Sequence, residues 1–227
     1  MQRISNLPSL KNIIFFSISL ICFILFFIFQ RYIFSTDLQQ TQQVINNVFS
    51  NLQSPLLNKI VIFITYTGNT LPLLFFTLFI SILLFQHRFK IESYFLIFHF
   101  ITLALSNYLL KLHYQRERPL FNPLIEQGGY SFPSGHAMIN LGMGIFISYL
   151  IFKVLQYFKP AMFMTLVIML YVLLIGISRV YVSVHFLSDV IGGWLFGTGV
   201  ACFMIVLYEW VHQKYLTKDI LYYKRKY

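Results

Sequence analysis

The sequence predicts an all-α protein, a six-helix transmembrane bundle with an interfacial amphipathic helix after the first span. Three observations point there. Hydrophobic residues make up 58% of the 227 and charged residues only 11%, whereas a soluble domain carries about 25% charged residues. Mean hydropathy is +0.71, so the solvent of this chain is largely lipid. The apolar residues also gather into runs near the roughly 20 residues that a helix needs to cross a bilayer.

Six such runs are expected. They lie at about Asn12 to Phe29, Lys59 to Phe85, Tyr94 to Leu110, Gly135 to Phe152, Met162 to Ile177 and Val190 to Trp210. The second is interrupted by Gly68-Asn69 and by Pro72. The first is too long for the apolar core of a cleaved leader. The Phe29-Gln30-Arg31-Tyr32 stretch after it offers no small-residue cleavage pattern, so it reads as an anchor. Between spans one and two, from about Thr41 to Leu57, Val44, Ile45, Val48, Phe49 and Leu52 recur at helical spacing among Gln and Asn. This is the pattern of a helix lying in the membrane surface, either packed there or gating lateral entry of a lipid. With no repeat, low-complexity tract or linker, the whole chain, 1–227, reads as one domain.

Six spans place both termini on one side. Eleven of the 17 Lys and Arg residues then fall on the side of the termini and six on the other, so the positive-inside rule makes the termini cytoplasmic. The formal charge of +10 is thereby explained by topology, and no nucleic-acid partner is implied. The basic end Lys224-Arg225-Lys226 fits either a topology signal or attraction to anionic lipid. Cys22 and Cys202 sit in apolar runs and read as inert thiols. His99, in the middle of span three, reads as a hydrogen-bonded core histidine.

Three polar clusters fall at the outer side of this topology. The first runs from Lys111 to Arg118-Pro119, the second is Ser131-Phe132-Pro133-Ser134-Gly135-His136, and the third runs from Ser178-Arg179 through His185 to Asp189. Lys111, Arg118 and Arg179 are cations gathered at one face, as a phosphate dianion requires, and the two arginines can each engage two oxygens. Ser134 and Gly135 open a helix after Pro133, where backbone N–H groups form an anion site, and Gly135 lets an anion approach the backbone closely. If that stretch is helical, His185 and Asp189, four apart, project from one face, so the carboxylate can hold one imidazole nitrogen and leave the other bare.

Taken together, the clusters resemble the type 2 phosphatidic acid phosphatase superfamily of histidine lipid phosphatases, whose pattern is K-x6-R-P, then P-S-G-H, then S-R-x5-H-x3-D. Ser131-Phe132 and Gly192-Gly193-Trp194 also look like the bacterial membrane members. The resemblance covers roughly 68–197. It implies that His185 attacks phosphorus to form a phosphohistidine, with His136 as acid to the leaving oxygen and later as base to water. It implies no metal or other cofactor. Ser178 belongs to the motif. His113, Arg116 and Glu117 occupy its variable positions, with Arg116 the nearest to an additional phosphate contact. The family often has Gly where this chain has Ser183 and Pro where it has Leu187. Neither position is catalytic in the pattern, and both bear on local loop shape.

The implied substrate is a membrane lipid phosphate: phosphatidylglycerol phosphate, undecaprenyl diphosphate or phosphatidic acid. The P-S-G-H form favours the phosphatidylglycerophosphatase-like branch. No obligate protein partner is evident. A rival reading is a binding or transport protein without turnover, which intramembrane charge would also suit. It does not explain the retention of both histidines and the aspartate.

Overall fold

The computed structural model describes residues 9–119, 122–155 and 157–226, with side chains left aside at 36, 37 and 216–226. Arg3 and the side chains of the basic end at 224–226 lie outside the described residues. The elements in order are α1 (Leu10–Phe29), α2 (Thr36–Asn51), α3 (Pro55–Thr67), α4 (Thr70–Gln86), α5 (Lys90–Tyr114), α6 (Gly135–Val154), α7 (Phe158–Tyr181) and α8 (Leu187–Lys226). The described residues form no strand.

Among the described residues five helices are long and apolar enough to cross a membrane: α1, α5, α6, α7 and the first 29 residues of α8. The expected second span is a broken one. α3 and α4 meet at 51° over a short break, at the Gly68-Asn69 pair that interrupts the apolar run. Gly68 is the C-cap of α3 and Asn69 the N-cap of α4. The amphipathic segment departs from its expected bounds. α2 starts at Thr36 and ends at Asn51, and Pro55 opens the next helix instead of continuing this one. Proline is suited to the first turn of a helix and unsuited to its interior, which fixes the break.

α2 turns its polar side inward. Gln42 and Asn46 are almost fully buried while Val44, Val48 and Leu52 are exposed. Ile45 and Phe49 pack on Ala137, Val180 and Val190. The helix therefore covers one end of the bundle, with an apolar stripe left for lipid and a polar one for the protein beneath.

α6 is the centre. In its apolar window 67% of residues are buried, against 17% in α1, and it packs on α8, α7 and α5. With no water to drive apolar surfaces together, helices in lipid associate through close packing at small residues. Here α8 supplies Gly193 and Gly197. A Cβ on Gly193 would stand 2.7 Å from the Ser134 carbonyl oxygen, and one on Gly197 only 2.4 Å from that of Met138. The two backbones are in contact, so α6 and α8 begin side by side. Gly197→Ala must push them apart. It should cost about 1–3 kcal/mol, as overpacking of a close-packed core does. Thermal unfolding in detergent should show a lowered midpoint, and an unchanged one would contradict this packing.

Candidate active site

The three polar clusters meet at the bundle end where α5 and α7 finish and α6 and α8 begin. Ser134 is the N-cap of α6, with its Oγ accepting from the Ala137 N–H at 3.5 Å. Its own N–H donates to the Asp189 carbonyl oxygen at 2.9 Å, tying the starts of α6 and α8 together. Of the expected anion cradle, the terminal N–H groups of Gly135 and His136 thus remain without an intrahelical acceptor. Gly135 has a further reason to be glycine. A Cβ there would stand 2.8 Å from Asn107 Oδ1, and Asn107 Nδ2 donates to the Pro133 carbonyl at 3.1 Å. The absent side chain admits a side chain of α5 as well as leaving the backbone open.

His185 Nδ1 lies 3.3 Å from Asp189 Oδ2, which also accepts from the Phe186 N–H at 2.9 Å. A carboxylate only accepts, so Nδ1 carries the proton and Nε2 is bare. Arg118 Nη1 stands 3.1 Å from that Nε2. His185 and Asp189 are buried. Burial, and then the charges of Lys111, Arg118 and Arg179, hold the His185 imidazole well below its ordinary 6.5. Across from this pair, His136 Nε2 is 2.7 Å from Asn69 Oδ1. The break in the second span therefore has a place in the site. Asn69 meets His136, Thr65 Oγ1 accepts from Arg179 Nη1 at 2.6 Å, and the Gly68 carbonyl accepts from Asn140.

The expected phosphate cations converge. Arg118 is held by carbonyl oxygens of Gly128, Gly129, Tyr130 and Val184, and burial lowers its affinity for its proton. Lys111 Nζ donates to the Tyr130 carbonyl. Arg179 is 1% exposed, with Nη2 donating to Gln127 Oε1 at 2.9 Å and a buried Nε that has no acceptor. Among the described residues no carboxylate pairs with Lys111, Arg118 or Arg179.

Arg116 departs from the expectation of an extra phosphate contact. Its Nη1 donates to Asp189 Oδ1 at 2.6 Å and to Ser188 Oγ at 2.7 Å, and its guanidinium lies over the Phe186 ring at 4.5 Å. The two departures from the family pattern also resolve locally. Ser183 has φ 58°, where glycine sits without strain. Leu187 is the first residue of α8, where proline fits.

Comparison with known proteins identifies the family. The family model described as PAP2 superfamily matches residues 92–213. The chain belongs to the PAP2 superfamily. Phosphatidylglycerophosphatase B of Bacillus subtilis (strain 168) is 32% identical over 185 residues, which cover 81% of this chain and 90% of that protein. The crystal structure of a transmembrane PAP2-type phosphatidylglycerolphosphate phosphatase from Bacillus subtilis aligns with a TM-score of 0.78 and 30% identity, covering 86% of this chain and 96% of the other. Aquifex aeolicus LpxE aligns with a TM-score of 0.55 and 26% identity, covering 73% and 93%.

Several PAP2 site neighbours had no motif to announce them. Asn69 reads in the sequence only as part of a helix break, and Thr65, Gln127, Gln42 and Ser188 carry no signal, since each reaches the site from a different element. The depressed pKa of His185 has a consequence for pH. Its neutral form persists as pH falls through 6.5, so the acid limb of kcat/KM that belongs to His185 should lie below the ordinary imidazole range. A profile corrected for ionisation of the substrate phosphate checks this, and a His185 limb centred at 6.5 or above would contradict it.

Proposed function

We propose that this PAP2 enzyme hydrolyses the terminal phosphate of a membrane lipid phosphate through a phosphohistidine on His185. Its place among lipid phosphatases rests on the family and on the relatives just described. The residue roles, the substrate and the membrane face are the proposal. The observation that carries it is the His185 imidazole, with Nδ1 on Asp189 and Nε2 bare within a group of cations that lack an anion.

In this reading, oxygens of the transferring phosphoryl group are bound by Lys111, Arg118, Arg179 and the N–H groups opening α6 at Ser134-Gly135. The Gly135 and His136 N–H groups are the free donors there, and the Ser134 hydroxyl is the part of that residue left to contribute. The unpartnered Arg179 Nε supports an acceptor at that place. The His185 Nε2 lone pair forms a bond to phosphorus as the bond from phosphorus to the lipid oxygen breaks. His136 gives its proton to that oxygen, releasing the lipid alcohol. It then takes a proton from water, whose oxygen attacks phosphorus, and the bond to Nε2 breaks to release inorganic phosphate. A cavity of about 450 Å³ beside Arg118, walled by Gln39 and Gln43 of α2 and by Phe34 and Phe186, supports α2 as one side of the lipid's way in.

Phosphatidylglycerol phosphate is the leading substrate, given the two Bacillus relatives and the P-S-G-H motif, with undecaprenyl diphosphate and phosphatidic acid as further candidates. Phosphate release by purified protein against these three lipids and a water-soluble phosphate tests the class and ranks the members. Release from none of the lipids would overturn it.

With ³²P-labelled substrate and rapid quench, an acid-labile phosphoprotein should form in the native enzyme and be absent in His185→Ala. His136→Ala should be slow with a lipid leaving group, by about 10²–10⁴-fold, and should partly recover with p-nitrophenol, which needs little protonation. A label that persists in His185→Ala and vanishes in His136→Ala would reverse the two roles.

The site is proposed to face the exterior or periplasm of a cell membrane, with both termini cytoplasmic, on the charge asymmetry of the loops. A cysteine placed at Gln127 should react with a membrane-impermeant reagent in intact cells, and one near Lys224 should not. The opposite labelling would invert the topology.

A further inference from the structure

Asp189 is a carboxylate with no exposure to solvent. Left alone at that depth, it would be costly to keep charged. One of its oxygens serves His185 and the Phe186 N–H, and the other receives Arg116 Nη1 at 2.6 Å. Arg116 is itself buried and held from two further directions: Ser188 Oγ accepts from Nη1 at 2.7 Å, and Gln42 Oε1 of α2 accepts from Nη2 at 3.4 Å. Ser188 Oγ in turn donates to the same Gln42 oxygen at 2.8 Å. The Phe186 ring covers the guanidinium face.

We infer that Arg116 is a positioning residue of the reaction: held by Ser188 and by Gln42 of α2, it fixes the Asp189 carboxylate so that Oδ2 keeps the His185 Nδ1 proton and aims Nε2 at phosphorus. The inference rests on the reading of His185 as nucleophile. It separates Arg116 from its three cationic neighbours. Lys111, Arg118 and Arg179 have no carboxylate and await an anion, whereas Arg116 already has one. Because Arg116 acts through Asp189, its loss should spare phosphate affinity and slow chemistry. It also gives the buried polar stripe of α2 a purpose. Gln42 is the point at which the covering helix reaches Arg116, three hydrogen bonds from the nucleophile through Arg116 and Asp189.

The experiment is steady-state kinetics of phosphate release, with the full-length protein in detergent or vesicles, on whichever lipid phosphate the native enzyme turns over. Arg116→Gln should lower kcat by about 10–100-fold with KM within about threefold of native, since an interaction that acts only on the nucleophile leaves ground-state binding alone. Arg116→Lys should recover part of kcat, because it restores the charge without the fork that reaches Ser188 and Gln42 together. In an Asp189→Asn background, Arg116→Gln should cause little further loss, because residues acting through one another are not additive. A KM that rises while kcat holds would make Arg116 a phosphate ligand and overturn the inference. So would an undiminished loss in the Asp189→Asn background. If Arg116→Gln fails to accumulate in the membrane, Ser188→Ala and Gln42→Ala loosen the arginine without removing it. Each should lower kcat at constant KM, and native kcat in both would overturn the inference. A native enzyme without phosphate release would instead remove the reading on which it stands.

Discussion

The site is organised by an imbalance of charge. Four cations, Lys111, Arg116, Arg118 and Arg179, gather around one carboxylate, Asp189, and only Arg116 is paired with it. The other three are held by carbonyl, hydroxyl and amide oxygens. Neutral acceptors fix the position of a cation without cancelling its charge, so the field at the centre stays positive. A polyanion entering there gains charge-assisted hydrogen bonds and requires little rearrangement of the groups that make them. Burial and then the same field keep the His185 imidazole neutral, as the proposed role of nucleophile requires.

Holding such groups at fixed distances in a lipid-embedded protein falls to the backbone. The contact of α6 with α8 at Gly193 and Gly197 brings the N-termini of these two helices together, and the Ser134 N–H on the Asp189 carbonyl fastens them. One helix carries His136, while the turn before the other carries His185. The packing of the two helices thus fixes where that turn stands relative to His136. The carbonyl oxygens of Gly128, Gly129 and Tyr130, with that of Val184, hold Arg118 in place.

Much of this was legible in the sequence, and the reason differs by feature. The six-span bundle follows from apolar runs, which are a local property. The three motifs lie at helix ends, so their expected meeting at one face follows once the topology is known. What could not be read is pairing across elements. Arg116 and Arg118 sit two residues apart with the same chemistry. Beyond the left-handed residue Gln115, φ 46°, that ends α5, one faces Asp189 and the other His185. Nothing in the composition of that stretch states which arginine takes the carboxylate. Asn69 was legible as a breaker and not as the partner of His136, since that depends on where α3 and α4 bend. The end of α2 was misplaced because the helical period of its apolar residues runs on past Asn51, while Pro55 decides where the next helix starts.

The far end of the bundle shows why buried charge alone does not mark a site. There Glu209 lies between Lys11, at 3.2 Å, and Lys153, at 2.7 Å, and also accepts from Tyr149. Glu92 accepts from Tyr208 at 2.6 Å, with His212 at 3.7 Å. These groups join α1, α5, α6 and α8, and each acid there has its own donors. A network in which every charge is met within the protein holds helices together and has nothing to offer a ligand. At the opposite end Lys111, Arg118 and Arg179 have no counter-charge among the described residues, and an Arg179 N–H has no acceptor. Each of those open valences is one that a single phosphate group would fill. Charge met within the protein at one end and left unmet at the other is what separates a structural network from the proposed site.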